Sequence, residues 1–491
     1  MQESNEQARR LAALGDLRKA LELAEEMGEL EVIEGADPNL EIGALYHFSL
    51  QKKIPPILLF RKIKGYPDDH RIAVNVRSSR LFVDGHGLDR VQALRKQRRK
   101  NVQPIPPVMV ETGPVMEHVL TGDAVDVLKF PAPKWNEGDG GKYIGTECMV
   151  VTQDPDSDWV NAGTYRVQVH DAKTVSIFIE PGKHGDVIRR KYWAKGVACP
   201  FAVSVGQAPV LGAAAASTPP ENVSEFAAAG ARLGRPLELV KGKVTGIPFP
   251  ADAELVFEGF MAPPEERSVT EGPFGEWPGY YTSTGPAPVL DVKAIYHRNA
   301  PIVTGSPPMK PTYPGAYYGI ASTSLLRAAN LWDELEAAGV PGVTGVWKMP
   351  GSGARFMNII SIRQMHPGHA KMAGLVAAGC GSNAYLGRVI IIVDDDIDIT
   401  DPAEVIWAIS TRWDPKTATD IIDGMWTGHI DPMLPPERRE AHEMTNSRII
   451  IYAVRPFHWK DEFPKVNAID KDYAEAVKRK WQGKLKFLDG T

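Results

Sequence analysis

Thr164-Tyr-Arg-Val-Gln-Val-His170-Asp-Ala-Lys-Thr174-Val-Ser-Ile-Phe-Ile179 decides the architecture of the middle of the chain. β-branched and aromatic residues alternate with polar ones on both sides of Asp171-Ala172-Lys173, which reads as two strands joined by a hairpin. A period of two puts Tyr165, Val167 and Val169 on one face, and Arg166, Gln168 and His170 on the other. Strand-like runs continue on either side, at 148–152, 201–205, 237–244, 253–260 and 289–297, with one helix predicted around 224–233. Many strands with few helices predict a barrel-like β domain.

The flanks differ. Leu11, Leu14, Leu17, Leu21 and Ala24 recur at helical steps and predict one amphipathic helix, followed by strands at 30–33, 57–63 and 72–76. This small α/β domain is taken to end at Asp126, before a Pro- and Gly-rich stretch. After about residue 320, helices at 321–337, 369–379 and 402–411 alternate with strands at 356–364 and 388–393, which predicts a second α/β unit. A last amphipathic helix spans 471–481. The division is therefore 1–126, 127–320, 321–465 and 466–491, with the final segment serving oligomerisation. A length of 491 residues suits such a multidomain layout.

Composition excludes several function classes. Hydrophobic residues at 43% and charged residues at 24% describe a folded globular chain rather than a disordered one. A net charge of −5 gives no footprint for nucleic acid. The longest apolar runs are strand-length, so no membrane span is expected, and the N-terminus lacks a secretory pattern. Cys148, Cys199 and Cys380 form neither a disulfide framework nor a zinc motif, which suits a reducing cytoplasm.

Glu271-Gly-Pro-Phe-Gly-Glu276 carries the most chemical information. Its glycines and proline force a shaped loop, and two carboxylates there can form an acid/base pair; alone, such a run is more often a polar turn. Arg166 on a strand inside a β domain needs a partner, and either glutamate could supply it; the alternative is a solvated sheet face. Asn161, His184 (in a predicted loop) and Glu225 (at a predicted helix start) make an N/O set for a divalent ion, although their spacing matches no local metal motif. Asp394-Asp395-Asp396 ends a strand and reads as a turn that caps the next helix, in preference to a Mg²⁺ site. His366-Pro-Gly-His369 reads as a cap.

Taken in order, these pieces resemble the UbiD family of prenylated-FMN-dependent decarboxylases. The resemblance rests on Asn161…Tyr165-Arg166, His184, Ser224-Glu225-Phe226 and Glu271-Gly-Pro-Phe-Gly-Glu276-Trp-Pro-Gly-Tyr280. His366-Pro-Gly-His-Ala-Lys371 and Arg388-Val-Ile-Ile-Ile-Val-Asp-Asp-Asp396, followed by Val405-Ile-Trp-Ala-Ile-Ser-Thr-Arg412, complete it. It implies a split β-barrel of flavin-reductase type, flanking α/β regions and a C-terminal dimerisation helix. It implies prenylated FMN held through Mn²⁺ (or Mg²⁺) on Asn161, His184 and Glu225, with K⁺ nearby and Ser217 close to that stretch. Tyr165, Lys183 and Arg388 fall at cofactor-binding positions, Arg388 standing where many members have Lys. The catalytic set implied is Arg166, Glu271 and Glu276. Arg166 and Glu271 position the carboxylate, the substrate carbon bonds covalently to the cofactor, and Glu276 donates the proton after CO₂ leaves. Lys183, Tyr317 and Tyr318 are candidate pocket residues. A flavin prenyltransferase would supply the cofactor, and a homodimer or hexamer is implied. Two other readings stand beside this one: a non-catalytic subunit of a larger carboxylase, and a flavin oxidoreductase.

Overall fold

In a computed structural model, described for residues 2–78, 87–99, 103–217, 219 and 222–485, the chain builds three main sheets around one long central one. The predicted first helix is two: Gln2–Leu14 and Leu17–Glu26. Asp16 divides them, its side chain accepting the Lys19 N–H at 3.1 Å as an N-cap. Of the predicted apolar stripe, Leu17, Leu21 and Ala24 are buried while Leu11 is exposed, and the periodicity that runs through the break does not reveal it. The strands Leu30–Glu34, Ile57–Arg61 and Arg71–Val74 follow. A fourth strand of this sheet, Ile302–Gly305, arrives from far along the chain and pairs in parallel with Arg71–Val74.

The central sheet has ten strands and forms a half-barrel. The quoted hairpin lies within it as Arg166–Asp171 and Thr174–Phe178, paired antiparallel. Its inner strands, such as Cys148–Gln153 and Cys199–Val205, are buried on both faces, and alternate side chains enter different cores. In Cys148–Gln153, Cys148 and Val150 join the core inside the half-barrel, while Met149 and Val151 join a second core under helix Glu225–Leu233. Strand Cys199–Val205 divides in the same way, Phe201, Val203 and Val205 against Ala202. Each such Val or Phe contributes about 1.5–3 kcal/mol of burial. Helices His184–Ala194 and Pro209–Ala215 and strand Val160–Gly163 are additions to the predicted elements.

The last unit is a five-stranded sheet ordered Val343–Lys348, Met357–Ile362, Val389–Asp394, Thr445–Ala453, Thr419–Trp426. Helix Pro314–Ala337 begins seven residues before its predicted start because Pro314 suits the first turn, so Tyr317 and Tyr318 lie on a helix. Helices His369–Gly379, Pro402–Arg412 and Lys471–Trp481 fall where the periodicity put them. The Asp-rich turn does cap: Asp401 accepts the Ala403 N–H at 2.8 Å. Its carboxylates are committed to arginines, Asp394 and Asp396 to Arg412 and Arg455, and Asp395 to Arg363. His369 Nδ1 accepts the Met365 N–H at 3.1 Å, so it holds its own helix start. Among the described residues no helix is long and apolar enough to cross a membrane.

Candidate active site

Arg166 opens its strand and is buried, 8% exposed, between the rings of Phe178 and Phe274 at 4.1 and 5.4 Å. A guanidinium there requires acceptors, and the end of strand Ser268–Glu271 and the loop after it bring one each, Glu271 and Glu276. Arg166 Nε donates to Glu271 Oε1 at 2.8 Å and Nη2 to Glu271 Oε2 at 2.7 Å, a two-pronged pair. Nη1 donates to Glu276 Oε1 at 3.0 Å. Burial pulls the Arg166 pKa down, but the hydrogen bonds and charge of Glu271 outweigh it, so the group sits above its ordinary value. Glu276 is shifted toward its neutral form instead. Burial raises its carboxyl above the usual range, and Arg166 only partly offsets this. The two glutamates of one loop thus occupy different environments, as acid/base chemistry requires.

The loop owes its shape to close backbone approach. A Cβ on Gly140 would stand 1.9 Å from the Gly272 carbonyl oxygen, so only glycine admits this contact, and the Gly140 N–H donates to Pro273 O at 2.8 Å. Gly272 itself has φ +82°, the left-handed region that glycine adopts freely. Two residues not among the predicted site residues hold the site from behind. The Tyr143 hydroxyl lies 3.0 Å from Glu271 Oε1 and 3.2 Å from Gln168 Oε1, and Gln168 Oε1 accepts the Gly272 N–H at 3.2 Å. Gln168 shares the Arg166 face of the strand, so alternation could have found it; Tyr143 carried no such signal.

A second cluster forms where Val160–Gly163 meets two helix starts. Glu225 opens its helix behind the Ser224 N-cap and is buried. Its carboxylate accepts the Asn161 Nδ2 at 3.1 Å and the Ala162 N–H at 2.8 Å. Burial pushes its pKa up to about 7. Asn161 Oδ1 is buried with no hydrogen-bond partner. His184 is the first residue of helix His184–Ala194, with Lys183 in the N-cap position, not in a loop; the i to i+3 and i+4 pairing of Asp186 with Arg189 and Arg190 was the missed helical signal. Its ring meets Trp159 edge-on at 4.9 Å, beside the strand that carries Asn161. Among the described residues no three His, Cys, Asp or Glu side chains gather for a metal, so an ion here needs the Asn161 oxygen. An orphaned amide oxygen beside a carboxylate whose charged form is disfavoured fits a hard cation.

The remaining candidates are distributed around these clusters. The Tyr165 hydroxyl accepts the Gly185 N–H at 3.3 Å. Ser217 donates to Ala214 O at 2.6 Å, at the end of the helix whose Ala215 carbonyl receives the Thr164 N–H. Arg388 pairs with Asp431 and lies 5.1 Å from the Phe356 ring. Tyr317 is half-buried, its hydroxyl 3.8 Å from Met349 Sδ. The side chain of Tyr318 lies outside the described residues.

Three family models cover most of the chain: the 3-octaprenyl-4-hydroxybenzoate carboxy-lyase N-terminal domain at 21–92, its Rift-related domain at 108–311 and its C-terminal domain at 322–453. The chain belongs to the UbiD family. It is a carboxy-lyase of the UbiD class by that membership and by its relatives. The pyrrole-2-carboxylic acid decarboxylase of Pseudomonas aeruginosa is 32% identical over 436 residues, covering 82% of this chain and 83% of that protein. The phenolic acid decarboxylase of Bacillus subtilis is 30% identical, covering 86% and 89%. In three dimensions this UbiD-family chain is similar to the UbiD-class enzyme HmfF from Pelotomaculum thermopropionicum in complex with FMN. The TM-score is 0.80 at 29% identity, over 97% of this chain and all of that one. An evolved dimeric form of that enzyme with prFMN gives 0.77 at 28% identity, over 97% of this chain and all of that one.

Proposed function

We propose that this UbiD-family protein catalyses the reversible, non-oxidative decarboxylation of an aromatic, heteroaromatic or α,β-unsaturated carboxylic acid, with prenylated FMN as cofactor. The observation that carries the reading is the buried Arg166 held between Glu271 and Glu276. Glu271 fixes the plane of the guanidinium, and Tyr143 and Gln168 fix Glu271 and its loop. Arg166 then offers N–H donors to the substrate carboxylate. Glu276, whose carboxyl burial shifts toward the neutral form, delivers a proton to the carbon that loses CO₂, so a C–C bond breaks and a C–H bond forms. The bound cofactor supplies a sink for the electron pair released at that carbon. Phe178 and Phe274 keep the surroundings dry, which favours loss of charge as neutral CO₂.

Asn161, His184 and Glu225 would hold Mn²⁺ or Mg²⁺ for the cofactor phosphate, with K⁺ near Ser217. The orphaned Asn161 oxygen supports this assignment. The ten-stranded sheet, nine of whose strands lie within 127–320 and the tenth at His118–Thr121, is read as a split barrel of flavin-reductase type between α/β units at 1–126 and 321–465. The helix in 466–491 is read as a dimerisation element, in a homodimer or hexamer. Three free cysteines suit a reducing cytoplasm. The test is a panel of carboxylic acids given to protein co-expressed with a flavin prenyltransferase, followed by CO₂ release and exchange with labelled CO₂. CO₂ release supports the proposal. Bound flavin that turns over NADH without CO₂ release, or no bound flavin at all, overturns it.

A further inference from the structure

Three cations outside the Arg166 pair gather beside Glu276. Lys183 Nζ stands 5.7 Å from the centre of the Tyr385 ring, and the Arg355 guanidinium 5.5 Å from the same ring. Arg355 also lies 5.0 Å from the ring of Trp277, the residue after Glu276. Arg327 completes the group. Burial first, and then the charge of Arg355, hold Arg327 well below its ordinary value.

Their partners are missing. Among the described residues, none of the three side chains forms an ion pair with a carboxylate or donates a hydrogen bond, whereas Arg166 has Glu271 and Arg388 has Asp431. All three are half-buried, neither fully exposed nor sealed in a core. The nearby carboxyls are Glu180 and Glu276, and burial raises both toward the neutral form. A cluster of like charges with no counter-charge is unfavourable until an anion enters it.

We propose that Lys183, Arg327 and Arg355 form a second anion subsite beside Arg166 and Glu276, and that the substrate is an aromatic acid carrying a second carboxylate. The proposal rests on the decarboxylase reading above. Arg355 shares Trp277 with the Glu276 loop, which puts the subsite on the substrate side. The phosphate of the cofactor is the other anion that could occupy it, and flavin content separates the two.

The experiment compares holo-protein with Arg355→Gln, Arg327→Gln and the charge-retaining Arg355→Lys on matched acids. Pyrrole-2-carboxylate is set against pyrrole-2,5-dicarboxylate, and 4-hydroxycinnamate against 4-carboxycinnamate. CO₂ release, flavin absorbance and binding to holo-protein by flavin fluorescence are the readouts. The expected result is a di-acid preference in kcat/KM that Arg355→Gln and Arg327→Gln reduce by about 30-fold through KM with flavin retained, and that Arg355→Lys partly restores. Decarboxylation of mono-acids without di-acid preference overturns the subsite while leaving the parent reading intact. Loss of flavin from the Gln variants overturns it too, assigning the cations to the cofactor. If no acid releases CO₂ the parent reading fails; di-acid binding weakened by Arg355→Gln would still support the subsite, and no di-acid binding would overturn it.

Discussion

Arg166 spans the two glutamates of one loop: its Nε and Nη2 take both oxygens of Glu271 at 2.8 and 2.7 Å, while its Nη1 reaches Glu276 at 3.0 Å. A lysine carries the charge but not the fork, so it cannot hold Glu271, Glu276 and a substrate carboxylate in one plane. Arg166→Lys is expected to lower kcat/KM by at least about 100-fold, from lost orientation. Decarboxylation kinetics on folded, flavin-loaded variant measure it. Near-normal turnover would remove Arg166 from the mechanism.

Glu276 and Glu271 should respond differently to substitution. Glu276→Gln keeps the size and the Arg166 contact but has no proton to give, so CO₂ release and solvent deuterium incorporation should both vanish while flavin remains. The pH profile follows from the raised carboxyl. Glu276 carries its proton below that pKa and loses it above, so turnover is full on the acid side and falls as pH rises through it. Glu271→Ala instead leaves Arg166 short of its main partner in a buried site, a loss of about 3 kcal/mol in stability, visible as a lower urea midpoint. A rate that rises across the alkaline range would refute the donor role of Glu276.

Asn161, His184 and Glu225 give a prediction with a readout independent of turnover. His184→Ala and Glu225→Gln should each lose bound metal and most of the flavin, by elemental analysis and absorbance. Asn161→Ala should do the same, although its backbone strand is undisturbed. Full metal and flavin content in all three variants would mean that the orphaned Asn161 oxygen is answered by something other than an ion.

Tyr143→Phe tests the support behind Glu271. Removing one hydroxyl, 3.0 Å from Glu271 Oε1, leaves the ring packed against Phe274. A loss of about 1 kcal/mol in transition-state stabilisation, or roughly fivefold in kcat with KM little changed, is expected. An unchanged kcat would mean that Gln168 and the loop backbone suffice.

Local signals explain what could be read from residues alone. Strand alternation placed Arg166 and Gln168 on one face, and the glycines and proline of the Glu271 loop announced a turn; both survive in the structure because short-range pleat and turn chemistry decide them. Ile302–Gly305 could be seen as apolar, but its place beside Arg71–Val74 depends on a contact across more than two hundred residues that no local pattern encodes. His184 was placed in a loop because Pro181 and Gly182 dominate the reading there, while the helix that follows is held by charge pairs rather than by a strong apolar stripe. Lys183 and Arg355 come from separate segments, so their convergence on Tyr385 exists only in the fold.

The Asp-rich turn yields the last prediction. Arg412 Nη1 donates to Asp394 Oδ2 at 3.1 Å and to Asp396 Oδ1 at 2.7 Å, and Nη2 to Asp396 Oδ2 at 2.9 Å. Arg455 backs the pair, with Nε 3.1 Å from Asp394 Oδ2. Arg412→Met leaves two carboxylates facing one half-exposed arginine, which should cost about 3 kcal/mol. Asp396 shows the sign of the pH effect. Burial raises its pKa, but the Arg412 hydrogen bonds and charge outweigh this and hold it below the ordinary carboxylate value. The pair therefore stabilises the fold at pH values above the unfolded carboxyl pKa, and that contribution is lost as pH falls through the depressed one. Urea midpoints of the two proteins should differ at neutral pH and converge in acid. Millimolar Mg²⁺ should not restore the variant, because the turn is an arginine-braced strand end; a Mg²⁺-dependent rise in the midpoint of the native protein would reinstate it as a cation site.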